Sequence, residues 1–205
     1  MPLILSILAS PRHHGTTASL LDAAENAARS QGCTIERINI SSLRFAPCMA
    51  CMSCRTSGQC PLPADDAHRF AQLLTQADAI LIATPTYWGG MPGTLKALLD
   101  RTVYAFIDTS SPTRSIPIPL HRHKPAAAII TSTAPWPANI MRIFTDVSGD
   151  IQRILRPSGF RIIPFLNIGG TRRLHPLPEK QLDKATVLGT RLARNAFKFA
   201  MSRNK

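Results

Sequence analysis

Four of the five cysteines in this 205-residue chain lie close together in one short segment. Cys48, Cys51, Cys54 and Cys60 follow the pattern C-x2-C-x2-C-x5-C, and Pro61 comes directly after the last of them. Thiols two residues apart rarely reach the relaxed geometry of a disulfide, but such spacers let successive thiolates turn toward one metal centre. The spacing therefore indicates soft-metal chemistry.

Three chemistries compete for these thiols. A compact run whose last cysteine precedes a proline is typical of a cubane 4Fe-4S cluster, and the spacing favours this reading. Zinc is the second candidate, although structural zinc sites usually join two ligand pairs across a longer gap. Redox-active thiols without a metal are the third. We expect residues 46–64 to form a cysteine-rich insertion loop that serves one of these chemistries.

Length, hydropathy and charge limit the class of protein. A chain of 205 residues fits one domain, no apolar run is long enough to span a membrane, and the first residues lack the basic start of a signal peptide. We therefore expect a cytoplasmic protein. The 24 Lys and Arg residues against 12 Asp and Glu residues attract anions such as phosphorylated cofactors. No DNA-binding spacing accompanies this charge, so nucleic acid is not an expected partner.

Short apolar runs alternate with helical patterns along the whole chain. Most of these runs lack polar alternation, which is typical of parallel strands covered on both faces. Right-handed crossovers then favour a doubly wound α/β sheet of five strands in the order 2-1-3-4-5. The predicted strands span residues 3–9, 34–40, 79–84, 126–131 and 161–168. The predicted helices span residues 17–31, 66–77, 93–107, 139–155 and 177–199, and residues 108–124 form an exposed Pro-rich loop.

Two loops follow the strands that flank the switch point of such a sheet, where ligands bind. The loop after the first strand carries hydroxyls and Arg12 ahead of a helix N-terminus, which suits an anion. An ordinary capped helix start would read the same way. The loop over residues 85–92 places Tyr87 and Trp88 beside two glycines. These aromatics suit either a planar ligand or packing against a neighbouring element.

Three stretches of this sequence together resemble the flavodoxin-fold NAD(P)H-dependent FMN reductases: ASPRHHGTT, the cysteine run ending in QCPLPADD, and ATPTYWGGMPGTLKALLDR. More narrowly, they are similar to the iron–sulfur flavoprotein branch of that family. The resemblance implies a flavodoxin-like fold, FMN, NADPH or NADH as electron donor, and a homodimer or homotetramer. It implies phosphate contacts from Ser10, Arg12, Thr16 and Thr17, and ring contacts from Pro85, Thr86, Tyr87, Trp88 and Gly89. Ser132 would add a contact from the loop after the fourth strand, and Cys48, Cys51, Cys54 and Cys60 would hold the cluster.

The sequence departs from these relatives in two places. Residues 131–137 contain two prolines and Trp136 where relatives often carry glycine, which would narrow access to the flavin. Ala50 precedes Cys51 at a position where relatives often carry glycine as well.

Three functions follow from these observations. The leading hypothesis is an oxidoreductase that passes electrons from NAD(P)H through FMN to a quinone or similar acceptor, with the cluster as a further carrier. The alternative is a non-enzymatic electron carrier of flavodoxin type, although the flavodoxins it would resemble are acidic and this chain is basic. A nucleic-acid accessory protein is the third, and only the net charge of +12 motivates it.

Overall fold

The computed structural model describes residues 1–108, 110, 117–135, 146–174 and 176–203. A twisted parallel sheet runs through the centre of the protein in the order β2-β1-β3-β6-β7, and β8 also pairs with β6. The strands are β1 (Leu3–Leu8), β2 (Thr34–Asn39), β3 (Ala79–Pro85), β4 (Ile107–Asp108), β5 (Ile118–Pro119), β6 (Pro125–Thr131), β7 (Arg161–Ile162) and β8 (Leu166–Ile168). The predicted doubly wound, flavodoxin-like fold is confirmed, with β6 as its fourth strand.

The predicted fifth strand over residues 161–168 is two short strands instead of one. β7 pairs with the start of β6 and β8 with its end. Pro164 lies between them, and a proline has no N–H group to donate to the ladder.

Helices cover both faces of the sheet. The α-helices of the described residues are α1 (Thr16–Ser30), α2 (Cys54–Ser57, a single turn in the cysteine loop), α3 (Asp66–Gln76), α4 (Gly93–Arg101), α5 (Val147–Leu155) and α6 (Glu179–Arg203). Apolar residues of α1 and α6 form one core, and those of α3, α4 and α5 form the other. α1 and α6 pack so closely that a Cβ atom at Gly189 of α6 would overlap the carbonyl oxygen of Ala24 of α1. None of the described helices is long and apolar enough to cross a membrane.

The predicted exposed loop over residues 108–124 is wrong at its C-terminal end. β5 pairs with β4 in an antiparallel ribbon, and His121 and Lys124 are buried. The Nζ atom of Lys124 donates to the carbonyls of Leu74 and Thr75 at the end of α3, and burial lowers the pKa of Lys124 to about 8. These two carbonyl groups offset the free-energy cost of burying the Lys124 ammonium group. The sequence pattern predicted that this group would be exposed to solvent. Residues 109 and 111–116 of the predicted loop lie outside the described residues.

Three helix boundaries also differ from prediction. The helix predicted to reach residue 107 ends at Arg101, and a short 3-10 turn over Val103–Ala105 follows it. The helix predicted from Asn139 is described only over α5, which begins after Asp146 and continues through Gly149. The last helix starts at Glu179.

Candidate functional site

A cavity of about 450 Å³ lies at the carboxyl ends of β1, β3 and β6. Its position matches the switch point of a doubly wound sheet, where such folds bind their ligands. It is lined by Ser10, Arg12, Gly15, Thr16, Thr17, Pro85, Thr86, Tyr87, Thr131, Thr133, Thr171 and Arg172. The structure therefore brings together seven of the ten residues expected to bind the flavin.

The loop before α1 presents groups that suit a phosphate. α1 begins after Gly15, and no side chain of the described residues caps its first N–H groups. These N–H groups and the positive end of the helix dipole favour an anion. The backbone N–H of Arg12 donates to Ser10 Oγ at 3.2 Å, which fixes the turn that carries the Arg12 side chain. Arg172 lines the same cavity, so two cations face it.

Thr86 has an unsatisfied hydroxyl at the wall of this cavity. Its backbone N–H donates to the carbonyl of Thr131 at 2.8 Å, but its buried Oγ1 atom has no hydrogen-bond partner within the described residues. Leaving a buried hydroxyl unpaired costs free energy, so a bound polar group is the natural partner. By contrast, the hydroxyls of Thr17 and Thr131 bond to each other at 2.7 Å and tie α1 to β6.

Three of the expected flavin contacts lie beside the cavity and do not line it. Trp88 is fully exposed, with a φ of 50°, and Gly89 follows it at a φ of 79° in a tight turn closed by Tyr87 and Gly90. Ser132 is buried; its Oγ accepts from the N–H of Ala134, and its carbonyl accepts from Thr171. Ser132 thus holds the loop after β6 in place. The tryptophan predicted to narrow access, Trp136, lies outside the described residues.

The cavity also contains residues that the sequence did not single out. Thr133 and Arg172 come from the loops after β6 and β8. Both strands end at the same sheet edge as β1, so their loops were candidates on topology alone. Arg172 could not be placed there from the sequence, because its proximity to the cavity depends on the 3-10 turn over Thr171–Arg173.

A second cavity, of about 910 Å³, is lined by all four clustered cysteines. Their thiols are free; Cys48 and Cys51 are exposed, while Cys54 and Cys60 are half-buried. Burial, followed by repulsion from the other three thiolates, raises the pKa of Cys54. Within the described residues, no three His, Cys, Asp or Glu side chains converge closely enough to bind a metal ion. The chemistry of the donor set nevertheless fits a thiophilic metal.

The cysteine loop has an unusual backbone. Ala50 and Met52, on either side of Cys51, adopt left-handed conformations with φ angles of 55° and 61°. Each such residue costs about 1–2 kcal/mol unless it is glycine. The left-handed Ala50 explains why glycine suits this position, and its N–H points toward the Sγ of Cys48 at 3.4 Å. Non-glycine residues keep such conformations where a functional constraint requires them.

Polar contacts hold both ends of this loop. The start is fixed at Ala46, whose N–H donates to Asp65 Oδ2 at 3.2 Å and whose carbonyl accepts from Arg101 Nε at 3.2 Å. The end is fixed at Cys60, whose carbonyl accepts from His68 Nε2 at 3.2 Å. Asp65 and His68 also form the capping box of α3. The sequence patterns gave no role to Arg101 or His68.

A doubly wound parallel sheet in this strand order, with a cavity at its switch point, is the architecture of flavodoxin-like proteins. The model of the NADPH-dependent FMN reductase family matches residues 2–144, and the chain belongs to this family.

Known relatives agree with this assignment. An iron–sulfur flavoprotein of Methanosarcina thermophila is 36% identical over 100 residues, which cover 49% of this chain and 52% of that protein. One from Methanocaldococcus jannaschii is 34% identical over 99 residues, covering 48% and 51%. These matches span about half of each relative. The solved NAD(P)H:quinone oxidoreductase of Methanothermobacter marburgensis has a TM-score of 0.67 at 16% identity, over 95% of this chain and 98% of that one, which shows a shared fold.

Proposed function

We propose that this protein is an FMN-dependent oxidoreductase that takes electrons from NADPH or NADH and passes them to a quinone or similar acceptor. Membership of the FMN reductase family supports the cofactor and the donor. The observation that carries the proposal is the cavity at the switch point. It combines a helix N-terminus, two arginines and the unpaired Thr86 hydroxyl in a volume of the size that small ligands occupy.

The residues of the cavity have separate tasks. The N–H groups at the start of α1, with Arg12 and Arg172, would bind the phosphate. The Thr86 hydroxyl would hydrogen-bond to a polar edge of the flavin ring, beside Pro85 and Tyr87. FMN itself supplies hydride acceptance and the release of electrons singly or in pairs. The protein's part is to orient the ring, leave one face accessible to the nicotinamide, and exclude water from the other.

The test is flavin binding and flavin reduction. Replacing Arg12 with Ala should weaken FMN binding by about 1.5–3 kcal/mol, which is tenfold or more in Kd, because one charge-assisted contact is lost. Arg55→Ala, which removes the same charge outside this cavity, is the control. Mixing the FMN-loaded protein with NADPH or NADH under argon should bleach the flavin rapidly. Equal FMN affinity in both variants would contradict the assigned cavity, and a flavin stable to both nucleotides would contradict the activity.

We infer, second, that Cys48, Cys51, Cys54 and Cys60 hold a metal centre, with a 4Fe-4S cluster as the leading form and zinc as the alternative. Support comes from their shared cavity, the soft donor set and the similarity to iron–sulfur flavoproteins. An anaerobic absorption spectrum with iron, sulfide and zinc analysis decides between the two metals. A reconstituted protein without any metal would leave only redox-active thiols.

We infer, third, that a second copy of the chain covers the flavin side, in a homodimer or homotetramer. Trp88 is fully exposed beside the cavity, and Tyr87 is 43% exposed. Aromatic side chains of this kind are enriched at interfaces. A monomeric mass by light scattering at micromolar concentration, with FMN bound, would contradict this assembly.

The five free thiols fit a reducing compartment such as the cytoplasm.

A further inference from the structure

The guanidinium group of Arg101 is buried at the end of α4, directly behind the cysteine loop. The residue is only 1% exposed. Its Nε atom donates to the carbonyl of Ala46 at 3.2 Å, and its Nη2 atom lies 3.5 Å from Asp65 Oδ2. Its Nη1 atom is buried and has no hydrogen-bond partner among the described residues. A buried charged donor without a partner is costly, so its retention calls for a ligand that satisfies it.

The surroundings of Arg101 indicate what that ligand is. Arg101 lines the 910 Å³ cavity together with Cys48, Cys51, Cys54 and Cys60. Asp100, the neighbouring carboxylate on the same wall, already forms an ion pair with Lys96 at the surface. Four thiolates on a divalent metal carry a net charge of about −2, and their sulfur atoms accept hydrogen bonds. A metal–thiolate centre therefore matches the buried cation in both charge and hydrogen bonding.

We propose that Arg101 is the buried counter-charge of a metal–thiolate centre in the cysteine loop, a role that rests on the metal site proposed above. It is a positioning residue and not a ligand, because a guanidinium stays protonated and offers no lone pair to a metal. One side of the group fixes the start of the loop through Ala46. The other side carries Nη1, which has no partner among the described residues and would compensate the charge that the thiolates accumulate when they bind metal.

Two consequences follow from this placement. A cation in a water-poor site acts with little screening, so it stabilises the anionic loaded loop relative to the empty loop. It also stabilises a reduced centre more than an oxidised one, because reduction adds one negative charge. Removing the charge should therefore weaken metal loading and lower the reduction potential. If Arg101 served only in packing, metal loading and the reduction potential would not depend on whether the residue at position 101 carries a charge.

The experiment compares three variants of the FMN-loaded protein, reduced and stripped of metal under argon. Co²⁺ is the probe, because its tetrathiolate ligand-field bands lie beyond the flavin absorption. Arg101→Met removes the charge but keeps much of the apolar stem, Arg101→Lys keeps the charge, and Asp65→Asn disturbs the same contacts while keeping both Arg101 and a good helix cap. We expect Arg101→Met to weaken Co²⁺ binding about tenfold or more, while Arg101→Lys and Asp65→Asn stay within about threefold of wild type.

The outcomes separate this role from the metal site on which it rests. Equal Co²⁺ affinity in wild type and Arg101→Met would overturn the counter-charge role while leaving the metal site intact. Equal losses in Arg101→Met and Asp65→Asn would overturn it too, since the effect would then come from the loop anchor. A wild type that binds no Co²⁺ and no iron would overturn both. Where iron and sulfide reconstitute a cluster, its reduction potential should fall in Arg101→Met and recover in Arg101→Lys.

Discussion

The two cavities of this protein are built in different ways. The 450 Å³ cavity at the switch point, called the flavin-side cavity because we propose that it binds FMN, is formed by strand ends and a helix N-terminus, and the hydrogen-bonded hydroxyls of Thr17 and Thr131 brace it. The cysteine cavity has about twice the volume, and among the described residues the polar contacts that anchor its loop to the rest of the fold are at Ala46 and Cys60. Strands and a helix thus shape the first cavity. In the second, contacts with the rest of the fold lie at the two ends of the loop, and we expect a bound ligand to order its interior.

The strongest test of this difference between the two cavities is to remove one thiol. Cys51→Ser should abolish iron incorporation, because the exposed loop offers no alternative soft donor at that position, while FMN binding should stay unchanged. The control is Cys33→Ala, which removes a buried thiol that precedes β2 at the far end of the sheet. It should change neither property. Iron content and FMN content of each purified variant are the measurements. Loss of FMN in Cys51→Ser would mean that the two cavities are coupled in assembly.

Acid should weaken the wall behind the cysteine cavity. His121 packs on Phe160 and Phe106, and Phe106 lines that cavity. Burial, followed by repulsion from Lys124, lowers the pKa of His121 to about 4. Since the unfolded chain takes up this proton near pH 6.5, protonation favours unfolding. The stability from neutral His121 is complete above pH 6.5 and falls by about 3 kcal/mol as the pH drops to 4.

Urea unfolding at pH 7.5, 6 and 5 measures this loss. His121→Gln keeps a donor toward the carbonyl of Ala105, with which His121 Nε2 hydrogen-bonds at 2.7 Å, but cannot be protonated. Its stability should vary less with pH in this range than that of the wild type, whatever its value at pH 7.5. His14→Gln, at an exposed loop residue, should keep the wild-type dependence. An unchanged slope in His121→Gln would refute the assignment.

The smallest expected effect concerns the two neighbouring arginines after β8. Arg172 lines the flavin-side cavity and Arg173 does not, although both lie in the same 3-10 turn. Arg172→Ala should weaken FMN about tenfold, and Arg173→Ala should have an effect within about twofold, since it removes only a more distant charge. Fluorescence titration of apoprotein with FMN measures both. Equal effects would mean that the contribution is a general field and not a contact.

The sequence predicted the flavin-side cavity better than the cysteine cavity for a physical reason. The order of strands follows from buried apolar runs and right-handed crossovers, and the order alone places the loops of Ser10 and Thr86 together. The strand order did not predict the position of Arg172, because that position depends on a short turn after β8. It did not predict the positions of Trp88 and Gly89 either, because a tight turn carries them away from the cavity.

The frame of the cysteine loop could not be predicted in the same way. Arg101 lies 36 residues beyond Asp65 and 55 beyond Ala46, and it meets both only because the end of α4 comes within side-chain reach of the start of α3. A sequence pattern has no periodicity that reports such a contact. His121 and Lys124 were likewise placed in solvent, since the aromatic rings and the carbonyls at the end of α3 that make their burial tolerable are remote in sequence.

The division of the last strand into β7 and β8 affects whether copies of the protein can aggregate through this edge of the sheet. The segment from the start of β7 to the end of β8, residues 161–168, is one residue longer than the stretch of β6 that it faces, residues 125–131, so this edge of the sheet is bulged as well as broken at Pro164. A long flat edge offers a row of free N–H and C=O groups to which another chain can add a strand. This edge offers only two short pieces out of register. The structure thus guards against edge-to-edge aggregation at the end of the sheet remote from β2.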